Sequence, residues 1–169
     1  NVNMHNIGNA LYIAETYNVV NAFIPYVINK NAYPVYKSII EKLTERGTNL
    51  ITSEIFRSIK GENYSVVFLS PTSITDANSP YNKFNFTQEP TSLHINNVSP
   101  IIYVKLFGRK FLLMGDADGS QEITLLERYS SGVYDEKLVN LEDIDFYKVA
   151  NHGNKNSNLE ETLSLIDCI

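Results

Sequence analysis

Phe111-Leu112-Leu113-Met114-Gly115-Asp116-Ala117-Asp118 is an apolar run that stops in a glycine and two acids, as a buried strand running into a turn does. Phe146-Tyr147-Lys148-Val149-Ala150-Asn151-His152-Gly153-Asn154-Lys155-Asn156-Ser157 repeats the pattern, an apolar strand followed by a polar, glycine-containing turn. Between them lie one helical stretch, marked by Ile123, Leu125, Leu126 and Tyr129, and the second strand itself. One helix and one strand return the chain to the same sheet edge, so Asp116 and His152 leave it on the same side. Such strand ends open onto the crevice where α/β sheets bind ligands. A carboxylate and an imidazole there are candidate metal ligands or acid–base groups. Two readings stand for each residue. Asp116 is a functional carboxylate or a cap for the next helix, with Glu122 nearby. His152 is a ligand or general acid, or a turn residue preceding a helix started by Asn154 and Ser157.

Working outward, Ile7, Ala10, Leu11, Ala14 and Tyr17 recur at helical spacing and predict a helix over residues 7 to 18. A strand over 19 to 26 follows. Pro34 suits a helix start, Tyr36, Ile39, Ile40 and Leu43 form its apolar stripe, and Gly47 stops it near residue 46. Residues 49 to 55 and 65 to 69 read as strands. Residues 70 to 92, rich in Ser, Thr, Asn and Pro, read as a long surface loop in which His94, just beyond its end, is a solvated histidine. Residues 101 to 106 and 110 to 114 form a hairpin about Gly108, 144 to 150 is a strand, and Leu159, Leu163 and Ile166 mark a last helix. The order predicts a mixed α/β (α+β) fold with helices outside a sheet.

The 169 residues, 43% apolar and 20% charged, predict one globular domain over 1 to 169, cut from something longer. The net charge of −5 provides no overall positive field for a polyanion, so contact with nucleic acid needs a local basic patch. The single cysteine, Cys168, excludes an intrachain disulfide and a multi-cysteine zinc site, and suits a reducing, cytoplasmic setting. No apolar run approaches the roughly 18 residues that span a bilayer, so no membrane contact is expected. A Walker loop, a Gly-x-Ser-x-Gly elbow and a cysteine–histidine pairing are all missing from the sequence.

The two opening strings together resemble the C-terminal signatures of metallo-β-lactamase-fold domains of the competence (DNA-internalisation) type, where the strands end in Leu-Thr-Gly-Asp and in Lys-Val-x-His-His-Gly-Ser-Lys-x-Ser. Ser65 to Pro71 and Ile95 to Ser99, followed by Ile101 to Gly108, resemble the strands before the family's metal-binding Asp. Asn1-Val2-Asn3-Met4-His5-Asn6-Ile7-Gly8 stands where that family has His-x-His-x-Asp-His followed by Ile-Gly and a helix. The resemblance covers nearly the whole chain. It implies the C-terminal portion of an αββα sandwich, with a mixed sheet and outer helices.

The resemblance also implies a metal site that this chain departs from. Asn1, Asn3, Asn6 and Asn151 stand where histidines belong, and His5 stands where the Asp belongs. Asp116 and His152 match, as metal ligands and as the catalytic pair, with His5 as a third ligand of altered type. Lys155 and Asn154 are the candidate substrate-binding residues, with Lys148 also flanking the mouth. Zinc or manganese sites rely on several imidazoles plus carboxylates, and amide oxygens are weak neutral ligands. The expectation is therefore a hydrolase-like domain with a degenerate metal site, impaired in catalysis, holding zinc or manganese or no cofactor at all, with a structural or regulatory role. One alternative is an active metal-dependent nuclease or phosphodiesterase acting on a phosphodiester or nucleic-acid substrate. Another is a module that binds a protein partner through the loop 70 to 92.

Overall fold

The computed structural model of the chain describes residues 2, 4–82 and 91–167, with the backbone alone at residues 4 and 5. Two short helices open it, α1 (Met4–Ile7) and α2 (Ala10–Thr16), where the periodicity predicts one. The break falls at Gly8-Asn9, where glycine lowers helix propensity. Next come β1 (Asn21–Ile24), α3 (Pro34–Glu45), β2 (Asn49–Thr52), β3 (Ser58–Lys60) and β4 (Tyr64–Phe68). The second half holds α4 (Ser92–Asn96), β5 (Ile102–Leu106), β6 (Arg109–Leu113), α5 (Gly119–Ser130), β7 (Phe146–Lys148) and α6 (Glu160–Ile166).

Helix α3 forms as its sequence predicts. Pro34 sits in its first turn, and Tyr36, Ile39, Ile40 and Leu43 are its buried face. It ends where Gly47, at φ 75°, turns the chain back so that the Thr48 amide reaches the Leu43 carbonyl at 2.9 Å, the left-handed stop that glycine permits.

Strands β3-β4-β5-β6-β7 make one five-stranded sheet, antiparallel except for the parallel pair β6-β7, and β1-β2 make a separate parallel pair. The sheet is therefore mixed, as expected. Alternation of side chains gives it two apolar faces. On one, Val67, Tyr103 and Leu112 are register neighbours and join Leu125 of α5 and Ile166 of α6 in the main core. Leu112 is fully buried, a burial that contributes about 1.5–3 kcal/mol for a side chain of this kind. On the other face, Phe68, Ile102, Leu113 and Lys148 form a register row. There Phe23 of β1 stacks on Phe68, with ring centroids 4.8 Å apart. A second core gathers Val2, Val27, Tyr36, Ile40, Tyr81 and Val98.

The loop expected over 70 to 92 is not wholly a surface loop. Ser79 and Tyr81 are fully buried, and the Tyr81 hydroxyl donates to the Ser53 carbonyl at 2.5 Å. Its far end enters α4, whose first turn is capped reciprocally: the His94 amide donates to Thr91 Oγ1, and the Thr91 amide donates to His94 Nδ1, each at 3.4 Å. His94 is thus a capping residue of a short helix. Residues 83–90 of that loop lie outside the described residues. Strand β3 escapes the sequence reading because its three residues are all exposed and carry no alternation. Among the described residues, no helix is long and apolar enough to cross a membrane.

Burial pushes the phenols of Tyr81 and Tyr134 up to about 12. A raised phenol favours the neutral form in the fold, so its contribution is complete below the ordinary tyrosine value near 10 and is lost as pH rises through about 12. Spectrophotometric titration at 295 nm should therefore show these two phenols ionising only together with alkaline loss of the far-ultraviolet circular dichroism. Ionisation of Tyr81 at pH 10 in a folded protein contradicts the packing described.

Candidate functional site

The parallel pairing of β6 with β7 sets Leu113 opposite Lys148, and both chains then leave the sheet at one edge. Gly115 makes the first exit turn. It has φ 56°, and a Cβ there would lie 2.9 Å from the Pro100 carbonyl oxygen, so both conformation and space call for glycine. The helix cap three residues later is Asp118. Its Oδ1 accepts from the amides of Ser120 at 3.0 Å and Gln121 at 3.2 Å, and the Asn97 amide, turned nitrogen inward, donates to the same carboxylate. The capping alternative for Asp116 is thereby replaced: Asp118 occupies that role.

Asp116 instead faces the second exit turn. Its Oδ1 lies 3.3 Å from His152 Nε2, and its Oδ2 accepts from Asn6 Nδ2 at 2.5 Å. The residue is only 9% exposed. The turn that presents His152 is unusual, because Asn151, His152 and Gly153 have φ of 43°, 55° and 80° in succession. Asn and His are among the side chains that enter this left-handed region more readily than most.

That turn is held from behind by Asn158 and Tyr147, which the sequence did not announce, and by Glu122 and Ser157 in other roles than expected. Asn158 brackets Ala150, accepting from its amide at 2.8 Å and donating to its carbonyl at 3.0 Å, while the Tyr147 hydroxyl donates to Asn158 Oδ1 at 3.0 Å. Glu122, fully buried on α5, accepts from the Asn158 amide at 2.6 Å and the Leu159 amide at 2.9 Å. Ser157 donates to the Ala117 carbonyl at 3.1 Å. Glu122 therefore couples the Asp116 turn to the His152 turn through two backbone amides. Nothing in the periodicity of α5 separates it from an exposed helical glutamate.

The result is a cleft of about 390 Å³, floored by Ile102 and Leu113 and walled by Asn6, Ser99, Pro100, Asp116, Lys148 and His152. Lys148 Nζ donates to the Gly115 carbonyl at 2.7 Å. Ser99 Oγ is buried and has no hydrogen-bond partner, and the sequence reading did not single it out. Asn151 stands at the edge, its amide on the Gly115 carbonyl at 3.1 Å. Asn154 and Lys155, expected to bind substrate, are exposed and are not part of the cleft wall; Asn154 Oδ1 accepts from the Asn156 amide at 3.0 Å and shapes the turn. Asn1 and Asn3 lie outside the described residues, and of His5 the structure describes only a place in α1.

Chemically, a carboxylate beside an imidazole is an orienting pair that can hold or move a proton. As a zinc or manganese centre it is poor. Among the described residues, no three His, Cys, Asp or Glu side chains come together, whereas such ions take three or four strong ligands. Carboxamides at positions 6 and 151 supply weak neutral oxygens, and the one at 6 directs its N–H at Asp116. Among the described residues the donors do not make up such a ligand set, and the His5 side chain lies outside them. No protein-family model matches the chain, and no curated protein matches it.

Replacing Glu122 by alanine should destabilise the fold by about 2–4 kcal/mol in urea unfolding, since two buried amides lose their acceptor. Glu122→Gln, which retains one acceptor oxygen, should lose less. Equal and negligible effects of both changes would show that the coupling of the two turns is dispensable.

Proposed function

We propose that the chain is a metallo-β-lactamase-like domain of the competence type whose metal position has become a hydrogen-bonded polar pair, giving a structural or regulatory domain in place of a hydrolase. The observation that carries this reading is the contact of Asn6 Nδ2 with Asp116 Oδ2 at 2.5 Å. A residue that aligns with a family histidine thereby offers the carboxylate a proton donor where a metal ion would need an electron-pair donor. An Asp whose two oxygens meet Asn6 and His152 is satisfied within the protein.

The sandwich portion of the proposal rests on the sheet. Both faces of the five-stranded sheet are apolar, helices cover one, and β1 lies on the other through Phe23 and Phe68. Residues farther along that second face, Ile59, Leu106 and Phe146, are 38%, 40% and 51% exposed. A face of this kind suits a second sheet layer, as the αββα arrangement has. A cytoplasmic setting belongs to the same reading.

Calorimetric titration with zinc and with manganese tests it. The expected outcome is no saturable binding below the micromolar range; tight uptake of two ions per chain sinks the proposal. The cleft and the Asp116–His152 contact at 3.3 Å favour one competing reading, a metal-dependent phosphodiesterase. That reading requires turnover of a chromogenic phosphodiester or of single-stranded DNA that is lost in Asp116→Ala. The expected rate for the unmodified chain equals that of the variant. The protein-binding reading of the loop 70 to 92 is weakened by the burial of Ser79 and Tyr81, which ties part of the loop into the core.

A further inference from the structure

Arg128, in the last turn of α5, is half-buried and pairs with no carboxylate among the described residues. Its Nη2 donates to Thr72 Oγ1 at 2.6 Å. A second neighbour is the Tyr134 hydroxyl, whose own proton goes to the Leu69 carbonyl at 3.0 Å. Neutral hydroxyls therefore hold the guanidinium in place and do not themselves compensate its charge. This is the arrangement in which the planar fork of arginine recognises an oxyanion.

Arg128 lines a pocket of about 320 Å³ between α5 and the segment after β4, together with Thr72, Asp76, Ser120, Gln121 and Thr124. The volume lies in the range of small-molecule sites. Gln121 is 8% exposed, its Nε2 donates to the Asn97 carbonyl, and its Oε1 has no hydrogen-bond partner. A buried acceptor without a donor is a rare and costly state in a folded protein. The pocket thus offers a guanidinium with no carboxylate of the described residues within ion-pair distance, and it shares no wall residue with the Asp116–His152 cleft.

We propose that this pocket binds a small monocarboxylic acid, its carboxylate on the Arg128 guanidinium. Charge favours a monocarboxylate over a phosphate. Among the described residues Arg128 is the single cation in the lining and Asp76 adds a carboxylate, so a group carrying close to two negative charges is left unbalanced by them. Asp76 also engages the Asn78 amide at 2.9 Å, which fixes its place at the rim.

The test is calorimetry on the chain with L-serine, sodium gluconate and inorganic phosphate, each alone. Saturable one-to-one binding of serine or gluconate is expected, weakened about tenfold or more in Arg128→Gln and unchanged in His152→Ala. Thr124→Leu narrows the pocket while leaving the contacts of Arg128 in place, so it should weaken binding even where Arg128→Gln proves unstable. The proposal is overturned if neither acid binds, if phosphate binds more tightly than both, or if affinity survives Thr124→Leu. Loss of binding in His152→Ala alone would place the ligand in the other cleft and overturn it equally.

Discussion

The parallel pairing of β6 with β7 is the constraint on which the rest of this structure depends. Parallel neighbours need a crossover, and here the crossover is α5 with the segment that follows it. The crossover brings both strands to the same edge in the same direction. A carboxylate three residues beyond Leu113 and an imidazole four residues beyond Lys148 therefore meet, although 36 positions separate the two strings' functional residues in sequence. An antiparallel return would have sent His152 to the opposite end of the sheet.

The pairing alone does not hold the two exit turns in register. That falls to Glu122, which sits inside the crossover helix and accepts two amides from the start of α6. A carboxyl buried this completely is costly unless its oxygens are hydrogen-bonded, and both are. The same turn carries three successive positive φ values, a conformation that persists when its surroundings over-determine it. Asn158 supplies that over-determination by bracketing Ala150. Polar residues here perform the positioning work that apolar packing performs in the main core.

Much of the fold was legible because burial imposes periodicity. The stripe of α3, the runs of β5 and β6, and the strand before Asn151 each carry the spacing of the face they bury, and each lies where that spacing predicts. What was not legible depends on long-range or local hydrogen bonds. Strand β3 is an exposed edge held by its backbone ladder to β4, so its side chains report nothing. Asp116 and Asp118 differ by two positions, and only the path of the turn decides which one caps α5. His94 reads as a solvated histidine until Thr91 is seen to close a capping box with it. Asn154 and Lys155 follow the histidine closely in sequence, yet the left-handed turn carries them away from the cleft while Lys148, on the strand itself, lines it.

The central claim is that Asp116 is satisfied by Asn6 and His152 and is not a metal ligand. Crystals grown in excess zinc chloride, with anomalous diffraction recorded at the zinc absorption edge, test it most directly. The account predicts no anomalous peak between Asp116 and His152, with the Asn6 amide still on the carboxylate. A fully occupied zinc bonded to both residues, with Asn6 displaced, would contradict it.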